Sequence, residues 1–561
     1  MRTKPFNLFL LCILSGVLFT SACKKNIENP NTQTVPETEN FFCNKIQFDE
    51  QVQAPYFSVK NTAKIKLQFS AKVDSSSVLG GIQILDAKSN AIPFDFTILN
   101  GDTQVVLQAK NPFKSFYRFT LCLIYKLKTQ KGTSLAKNQY YAFYTEADTV
   151  PKFPLISDNE LLDLVQKNTF NYFWKNGHPS GFARERNNSG DLVTTGGSGF
   201  GIMSMLVASS RNFISRTEAA LKINSMCDFL QNKSQKFHGA FPHWFNGVSG
   251  NVIPFGANDN GADLVETSYL MQGLLCARQY FDRNDSLEIG IRTKINQIYQ
   301  GVEWNWFRKN NQQVLYWHWS ANLGWVMNMQ IKGWNECLIT YIMAACSPTD
   351  SIPASVYHQG WASYGGIKNG SSYYGYRLPL GEAYGGPLFF SQYTFLGVNP
   401  NQLTDLYADY WEQNVNHSKI NYAYCVANPK NYFGYSANFW GLTASDNNVN
   451  GYAAHSPSND LGVISPTAAL SAMPYTPKES MAALRFMYYQ LGEQAFKENG
   501  FVDAINLNDF WFADSFLAID QGPIIGMIEN YRTGLLWNLL MSCPEVKTGM
   551  KKLGFNSPYL N

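Results

Sequence analysis

Residues 157–174, which read SDNELLDLVQKNTFNYFW, decide the fold predicted for most of the chain. Ser157 and Glu160 have the spacing of a capping box, in which two side chains bind backbone N–H groups at the start of a helix. The apolar residues after them recur with the period of a helix and occupy one face of it as far as Trp174. The segment is therefore predicted to form an amphipathic helix.

The same kind of segment recurs through the C-terminal part of the chain. Ser215-Arg-Thr-Glu218 begins a helical pattern that ends at Leu230, and Thr476-Pro-Lys-Glu479 begins another with proline at the favoured first helical position. Further helical patterns occupy residues 262–281, 286–306, 334–346, 402–413, 465–473 and 523–543. Loops rich in Gly, Asn, Tyr and Trp separate them, and strand patterns are too sparse for the eight strands of a TIM barrel. Residues 152–561 are thus predicted to form a mainly α toroid of helical hairpins.

Residues 43–148 have a different pattern. The segment Ala63-Lys-Ile-Lys-Leu-Gln-Phe69 alternates polar and apolar residues, as a half-buried strand does. Similar short segments lie at 82–85, 103–108 and 117–122, with turn residues between them. We predict a small β-sandwich, which resembles bacterial Ig-like domains. A role as a spacer is favoured over a role in sugar binding.

Residues 1–22 have the pattern of a secretory signal, with a basic start, an apolar run and small residues before Cys23. Ser-Ala-Cys is a lipobox pattern and predicts that Cys23 is the lipidated first residue of the mature protein. The alternative is a signal that is cut elsewhere, with Cys23 unmodified. Residues 23–42 are poor in apolar residues and predict a flexible tether. We expect an exported protein, lipid-anchored to a bacterial outer membrane on its periplasmic or its outer face.

Composition excludes several classes of partner. The formal net charge is +3 and no Lys/Arg cluster alternates with aromatic residues, so nucleic acid is not expected. No segment after the signal is long and apolar enough to span a bilayer, so the lipid is the only expected contact with a membrane. The cysteines and histidines show no zinc-ligand spacing, so no metal site is expected. We expect a monomer.

Aromatic residues make up 15% of the chain. Such rings stack on the apolar faces of sugars, and they also fill large helical cores, so composition leaves both roles open. Hydrolysis of a glycosidic bond needs two carboxyl groups, one to protonate the leaving oxygen and one to activate water or attack the sugar. Candidates are therefore acids beside aromatic or amide residues in loops or in the first turns of helices.

The segment 258–267, NDNGADLVET, holds Asp259, Asp263 and Glu266. On a helix, Asp263 and Glu266 would share a face. The same two residues also fit a capping box, whose role would be only to begin the helix. Three acids within so short a segment exceed what one cap needs, so a functional role is favoured.

Three further acids have similar surroundings. Glu336 follows Gly333-Trp-Asn at the start of an apolar run, Asp520 precedes a predicted helix, and Asp446 ends the loop segment Leu442-Thr-Ala-Ser-Asp446. A helix N-terminus lowers the pKa of a carboxylate, so Glu336 can act as a general acid only if burial outweighs the helix dipole. Asp520 and Asp446 are explained equally well as a helix cap or a turn residue.

Two aromatic segments are candidates for the wall of a cleft. Phe241-Pro-His-Trp244 and Tyr316-Trp-His-Trp319 would supply stacking rings and imidazoles, or would belong to the core. The glycine-rich segment Gly197-Ser-Gly-Phe-Gly201 lacks the ending of a phosphate loop and the spacing of a dinucleotide fingerprint. It is predicted to be a tight turn.

Several long segments carry a family resemblance. They include TTGGSGFGIMSML (194–206), NDNGADLVETSYLMQGLL (258–275), GWNECLITYIMAACSPT (333–349), WGLTASD (440–446) and AIDQGPIIGMIENYRTGLLW (518–537). They resemble the bacterial glucoamylase-like family, which includes the β-1,2-glucanases of glycoside hydrolase family 144, and the similarity extends over residues 155–555. The resemblance implies an (α/α)6 toroid, hydrolysis of glucan linkages with inversion, and neither a metal nor an organic cofactor.

The resemblance also assigns roles to residues. It places the catalytic acids at Asp259, Asp263, Glu266, Glu336 and Asp520. We expect Glu336 to be the general acid, one carboxylate of the 258–267 segment to activate water, and Asp520 to orient or assist. The expected substrate is a β-glucan, with β-1,2-glucan favoured. Weaker candidates for the glucan-binding wall are Arg184, Arg186, His243, Trp244, Trp319, Tyr384 and Asp446.

Two other functions stay open at this point. A polysaccharide lyase on a similar helical toroid would use Tyr and His and would release an unsaturated sugar. A non-catalytic glycan-binding lipoprotein would bind oligosaccharide and release no reducing ends. The acidic segment argues against the second alternative, because a protein that only binds sugar has no use for a buried pair of carboxylates.

Overall fold

The computed structural model describes residues 40–148 and 150–561. The predicted signal of residues 1–22, the lipidation site Cys23 and most of the predicted tether 23–42 lie outside the described residues. Within the described part, none of the helices combines the length and the hydropathy that crossing a membrane requires.

The first part of the described chain consists of two four-stranded sheets. Its strands are β1 (Cys43–Phe48), β2 (Tyr56–Val59), β3 (Lys64–Phe69), β4 (Ile82–Asp86), β5 (Phe94–Leu99), β6 (Gln104–Ala109), β7 (Arg118–Leu123) and β8 (Gln139–Thr145). The sheets have the orders β1-β3-β6-β5 and β2-β8-β7-β4. Alternate residues of β3, namely Ile65, Leu67 and Phe69, are buried in a core that residues of both sheets share. The strands predicted at 63–69, 82–85, 103–108 and 117–122 are confirmed, and each of their ends lies within one residue of the predicted position.

The rest of the chain is mainly α-helical. The helices are α1 (Val78–Gly81), which lies in the β region, and then α2 (Asp158–Trp174), α3 (Thr195–Ser210), α4 (Arg216–Asn232), α5 (Leu264–Tyr280), α6 (Ser286–Gln300), α7 (Leu338–Cys346), α8 (Ala354–Val356), α9 (Tyr410–Ala427), α10 (Pro466–Leu470), α11 (Pro477–Phe486), α12 (Ala518–Arg532), α13 (Leu535–Met541) and α14 (Pro544–Lys552).

Short strands lie in the loops between these helices. They are β9 (Leu192–Thr194), β10 (Trp244–Asn246), β11 (Val252–Ile253), β12 (Ala262–Asp263), β13 (Leu315–Tyr316), β14 (His318–Trp319), β15 (Gln330–Ile331), β16 (Ser372–Tyr373), β17 (Tyr376–Arg377), β18 (Ala444–Asn447), β19 (Gly451–Ala454), β20 (Phe496–Lys497), β21 (Gly500–Phe501), β22 (Ile505–Asn506) and β23 (Trp511–Phe512). Three of the pairings bring loops together near one end of the inner helices: β9 with β10, β12 with β14, and β18 with β19.

Local sequence rules account for several helix ends. Ser157 with Glu160, and Ser215 with Glu218, form reciprocal capping boxes at the starts of α2 and α4, as predicted. The helix predicted at 402–413 is wrong. The helix there is α9, which begins at Tyr410 because the Asp409 side chain accepts the N–H groups of the first turn.

The helices differ in how they are buried. Helices α3 and α7 are buried all round, as expected of helices enclosed by others, whereas α2, α4 and α6 bury one face and expose the other. Helix α3 packs against α5 and α12, and α2 covers α3 and α12 from outside. The inner helices α3, α5 and α12 therefore carry the loops that meet at the site described below.

The tight turn predicted at 197–201 is wrong, because these residues lie inside the buried helix α3. The glycines serve helix packing instead. A Cβ atom at Gly199 would lie 2.3 Å from the carbonyl oxygen of Tyr269, and one at Gly273 would lie 2.2 Å from that of Gly199. Helices α3 and α5 therefore cross with their backbones in contact.

We expect Gly199→Ala to lower the free energy of unfolding by about 1–3 kcal/mol or more, because the added methyl group must push α3 and α5 apart. Gly290→Ala is the matched control: Gly290 lies within helix α6 and has open space around its Cβ position. There, alanine is expected to leave stability unchanged or to raise it by up to about 1 kcal/mol. Urea unfolding of both variants measures the difference, and equal values would contradict the close crossing.

Candidate active site

The site is built around Asp263, the N-cap residue of helix α5. Its side chain is completely buried. One oxygen, Oδ1, accepts the backbone N–H groups of Val265 and Glu266 at 3.0 and 2.9 Å. The same oxygen accepts the indole N–H of Trp317 at 2.9 Å. Asp263 therefore fixes the first turn of α5 and joins it to the loop between β13 and β14.

The second oxygen of Asp263 binds a histidine. His243 Nδ1 lies 3.0 Å from Asp263 Oδ2. Burial alone would lower the pKa of His243, but the charge of Glu266 and the hydrogen bond to Asp263 outweigh it and raise the pKa to about 10. Burial likewise opposes ionisation of Asp263, yet the bond to His243 holds its pKa below the ordinary value. At neutral pH, His243 is therefore a cation and Asp263 a carboxylate.

Glu266 lies one turn into helix α5 and is 6% exposed. Its Oε2 accepts the backbone N–H of Gly196 at 2.6 Å and the hydroxyl of Thr194 at 3.2 Å, both at the start of α3. Burial raises the pKa of Glu266 to about 7, and the positive charge of His243 acts in the opposite direction. The charges of Asp263 and Glu185 also favour its protonated form. Glu266 is thus a buried carboxyl group whose ionised form is favoured by one cation and two hydrogen-bond donors and opposed by two carboxylates.

Glu336 lies in the loop just before helix α7. Its backbone carbonyl accepts the hydroxyl of Thr394 at 2.8 Å, which fixes the position of the residue. Burial raises the pKa of Glu336 to about 7, and the charges of Asp263 and Glu266 act in the same direction. Burial therefore outweighs the dipole of α7, which is the condition that sequence analysis sets for a general acid.

Glu266 and Glu336 line the same cavity, whose volume is about 390 Å³. Its wall combines charged, aromatic and apolar groups from the inner helices and the loops around them. The lining residues are Glu185, Arg186, Thr194, His243, Trp244, Phe255, Val265, Glu266, Tyr269, Trp317, Glu336, Phe389, Tyr393, Ala444, Tyr452 and Ile519. Such a wall, largely apolar with a few convergent polar groups, is typical of a binding site for a small molecule or a short chain.

A second cation, Arg186, belongs to the wall. Arg186 Nη1 lies 2.6 Å from Asp446 Oδ2 in the hairpin of β18 and β19. The same carboxylate oxygen accepts the hydroxyl of Ser515 at 2.5 Å. Arg186 and Asp446, both predicted to bind substrate, are therefore held together, with the arginine at the cavity wall.

Asp520 lies in the first turn of helix α12 and is 1% exposed. Its neighbour Ile519 lines the cavity, and the hydroxyl of the lining residue Tyr393 lies 3.5 Å from Asp520 Oδ1. Asp520 thus lies directly behind the wall. Its carboxyl group is within hydrogen-bonding reach of Asp503, a residue that sequence analysis does not single out.

Asp259 faces a groove of about 500 Å³ beside the cavity. The groove and the cavity share the side chains of His243, Phe255 and Trp317. Asp259 Oδ2 lies 3.5 Å from His318 Nε2, and burial raises the pKa of this acid. Of the three acids in the 258–267 segment, Glu266 therefore lines the cavity, Asp263 supports it, and Asp259 belongs to the groove.

Asp259, Asp263 and His318 form a group in the described chain that offers three possible metal-ligand atoms within 4.8 Å of one another. Asp263 already accepts hydrogen bonds on both oxygens, from helix N–H groups, Trp317 and His243. Its carboxylate is therefore satisfied by hydrogen bonding, and the three side chains line the groove.

Comparisons with known proteins agree with this architecture. A family model described as "Putative glucoamylase" matches residues 328–544. The structure of an endo-β-1,2-glucanase from Chitinophaga pinensis, in complex with sophorotriose and glucose, is 51% identical and has a TM-score of 0.71, covering 72% of this chain and 100% of that one. A β-1,2-glucanase structure from Parabacteroides distasonis is 34% identical with a TM-score of 0.69, covering 91% of this chain and 74% of that one.

The chain belongs to the glucoamylase-like family. A further relative, named exo β-1,2-glucooligosaccharide sophorohydrolase (non-reducing end) and also from Parabacteroides distasonis, is 44% identical over 421 residues. That match covers 71% of this chain and 58% of the relative, so the chain spans little more than half the length of that protein.

Four residues predicted to bind substrate do not line the cavity of this glucoamylase-like protein: Asp446, which holds Arg186 at the wall, and Arg184, Trp319 and Tyr384. Arg184 donates to the backbone carbonyl oxygens of Gly190 and Gly177 at 2.7 and 3.2 Å and so holds its own loop. Trp319 packs against His238, with ring centroids 4.8 Å apart. Tyr384 packs against other tyrosines, Tyr373 among them, at 4.6 Å.

Other lining residues were missed by sequence analysis. Glu185 lies between Arg184 and Arg186, both of which were predicted to bind substrate. Trp317 lies within Tyr316-Trp-His-Trp319, a segment that was named as a candidate wall without singling out this residue. Tyr393 and Phe255 have no local pattern that separates them from the many other aromatic residues of the chain. Their place in the wall follows from packing between segments that are distant in sequence.

The charge of His243 leads to a pH-dependent prediction for stability. Its pKa is raised in the folded protein, so its stabilising contribution is complete below the ordinary histidine value and is lost as pH rises to about 10. We expect the stability difference between wild type and His243→Gln to narrow from pH 7 to pH 10 in urea unfolding. His417→Gln is the control, because burial lowers the pKa of His417 to about 4 and keeps it neutral throughout. Parallel pH curves for wild type and His243→Gln would contradict the assignment.

Proposed function

We propose that this protein is a glycoside hydrolase that cleaves β-1,2-glucan by an inverting general acid/base mechanism. The observation that carries the proposal is the pair Glu266, which is buried, and Glu336, which is partly buried: two carboxyl groups on one cavity with different surroundings. Relatives that are named β-1,2-glucanases and a sophorohydrolase support the linkage. The lyase and the non-catalytic binder are not favoured, because the named relatives are hydrolases.

Glu336 is the general acid in this proposal. Burial raises the pKa of its carboxyl group to about 7, its own backbone N–H acts in the opposite direction, and the negative charges of Asp263 and Glu266 favour the protonated form. A carboxyl group that keeps its proton near neutral pH can donate it to the glycosidic oxygen as the bond breaks.

Glu266 is the general base. Gly196 donates a backbone N–H to it, and His243 places beside it a positive charge that Glu336 lacks, so its ionised form is stabilised by a cation. Asp263 is excluded from this role because both of its oxygens are already bound.

The reaction then balances as follows. A water oxygen attacks the anomeric carbon while its proton passes to Glu266, and the proton of Glu336 passes to the leaving glycosidic oxygen. Inversion requires space for that water, which corresponds to carboxyl groups about 6.5–9.5 Å apart.

Sugar binding falls to the rest of the wall. Arg186 and His243 supply hydrogen-bond donors for sugar hydroxyls, and the rings of Trp244, Trp317 and Tyr393 supply flat apolar surface for sugar faces. The groove past Phe255 offers room for further sugar units of a longer glucan.

The same proposal extends to the architecture and the location of the protein. The alternation of enclosed and half-exposed helices supports an (α/α)6 toroid over residues 152–561, and the two sheets with a common core support an Ig-like domain over residues 43–148. The lipobox at Cys23 supports an exported, lipid-anchored protein, which we expect to act as a monomer.

The first experiment measures release of reducing sugar from β-1,2-glucan beside α-1,4-, β-1,3- and β-1,4-glucans. We expect activity on β-1,2-glucan, and a loss of about 10²–10⁴-fold in kcat for Glu336→Gln and for Glu266→Gln. Glu498→Gln is the control, since Glu498 is an exposed surface glutamate and its variant should keep wild-type activity. A folded wild-type protein that is inactive on every glucan would contradict the proposal.

A second experiment separates the acid from the base. An aryl β-sophoroside with dinitrophenol as leaving group needs no protonation of the departing oxygen, so Glu336→Gln should recover most of its lost activity on it. Glu266→Gln should remain inactive, because attack by water still needs a base. Recovery in Glu266→Gln instead would reverse the two assignments.

A further inference from the structure

Asp503 and Asp520 form a second pair of buried carboxyl groups next to the cavity. Asp503 is 2% exposed and Asp520 is 1% exposed. Asp503 lies in the loop between β21 and β22, whereas Asp520 lies in the first turn of helix α12. Their side chains are within hydrogen-bonding reach of each other, and neither has a role in the proposed acid/base chemistry of Glu336 and Glu266.

The hydrogen bonds around this pair are incomplete without a proton between the two groups. Asp503 Oδ2 accepts the backbone N–H of Asp446 at 2.7 Å. Asp503 Oδ1 and Asp520 Oδ2 are both buried, and among the described residues neither has a hydrogen-bond donor. Two adjacent buried carboxylates cannot both be ionised at low cost, so one proton shared between these oxygens satisfies both.

The surroundings decide which residue carries the proton. Burial raises the pKa of both groups, that of Asp503 to about 7 and that of Asp520 further. The Asp446 N–H and the positive charge of Arg186 favour the ionised form of Asp503, whereas the Asp446 carboxylate acts against ionisation of both Asp503 and Asp520. Asp520 therefore holds the proton and donates it to Asp503.

The other groups that face the pair do not alter this result. The charges of Glu185 and Asp446 act on Asp520 in the direction that retains its proton. Tyr172, Tyr393 and Tyr452 carry titratable hydroxyl groups that interact with the pair, and all three stay neutral because loss of solvent and the nearby negative charges raise the pKa of each above the ordinary tyrosine value. Helices α3 and α10, which pack against this end of α12, contain no titratable residue.

We propose that Asp503 is a positioning residue whose carboxylate shares one proton with Asp520 and thereby sets the protonation state of Asp520 behind the cavity wall. Two contacts connect this pair of carboxyl groups with the cavity wall. Tyr393, a lining residue, places its hydroxyl 3.5 Å from Asp520 Oδ1, and Asp446, whose N–H binds Asp503, holds Arg186 at the wall. The sharing of the proton is independent of the reaction, whereas its effect on catalysis rests on the proposed function.

The first test measures protons and needs no substrate. The folded protein binds the shared proton at neutral pH and the unfolded chain does not. The free energy of unfolding therefore decreases as pH rises, with the slope expected for one proton that only the folded state binds. In Asp503→Asn the negative neighbour of Asp520 is gone and its pKa falls. We therefore expect the free energy of unfolding of Asp503→Asn to decrease less steeply between pH 6 and 7.5 than that of wild type. The difference in slope should be at most the slope that one bound proton produces. Asp520→Asn removes the same proton and should flatten the slope equally.

Asp460→Asn is the matched control, because Asp460 is as buried as Asp503 but accepts hydroxyl groups of Tyr424 and Tyr435 instead of facing a carboxyl group. Its slope should equal that of wild type. A wild-type slope in Asp503→Asn, or an equal flattening in Asp460→Asn, would overturn the shared proton. If Asp503→Asn does not fold, the slope of Asp520→Asn decides the same question.

The second test measures kcat and KM on β-1,2-glucan across pH. The protonation of Asp520 affects kcat only indirectly, through its contact with Tyr393. In Asp503→Asn, we expect the part of the kcat profile that depends on this protonation to move to lower pH while KM changes less than about twofold, and Asp503→Glu should restore the wild-type profile. A uniform loss of kcat at every pH would show that Asp503 only supports the loop and would overturn its positioning role. If the wild type is inactive on glucan, the proposed function fails, and the unfolding slopes still decide whether the proton is shared.

Discussion

The carboxylate of Asp263 is the group on which the arrangement of the site depends. A buried carboxylate loses several kcal/mol of hydration, so it is tolerated only where donors replace the lost water. Here the donors come from the first turn of α5, from Trp317 and from His243. Because those donors belong to three separate segments, one side chain places a helix and two loops relative to each other before any substrate binds. A change at this position would therefore disturb the cavity as a whole.

The same contact distributes charge within the cavity. Asp263 helps to keep His243 protonated, and the cation beside Glu266 gives this acid a surrounding that Glu336 lacks. The pKa of each glutamate is raised to about 7, but only Glu266 has a cation beside it. Unequal surroundings of this kind are the usual way in which one protein provides both an acid and a base. The close crossing of α3 and α5 at Gly199 matters for the same reason, because it brings the N–H of Gly196 onto the carboxylate of Glu266.

The sequence predicts what local rules determine and misses what distant packing determines. The capping boxes at Ser157 and Ser215, the acids of the 258–267 segment and the importance of Glu336 follow from neighbouring residues. The helix at 197–201 is missed because its glycines resemble a turn until a second helix is present to explain them. Trp319 and Tyr384 have the residue types of a sugar-binding wall, yet they pack against other rings, and Asp503 has no local signal because its partner Asp520 lies on another element. Residue type therefore identifies candidates, and only the three-dimensional contacts select among them.

The balance of charge around the cavity connects these features with the proposed reaction. The cations His243 and Arg186 are each held by an aspartate, and the acids Glu185 and Glu266 leave an excess of negative charge at the wall. The shared proton behind Tyr393 limits that excess, because without it a further buried charge would be added. A neutral glucan gains little from negative surroundings, whereas the oxocarbenium-like transition state of glycoside hydrolysis carries positive charge and is stabilised by them. An interaction that is stronger in the transition state than with the bound substrate accelerates the chemical step. In the proposed reaction, the unequal charge of the wall therefore contributes to catalysis and not merely to binding.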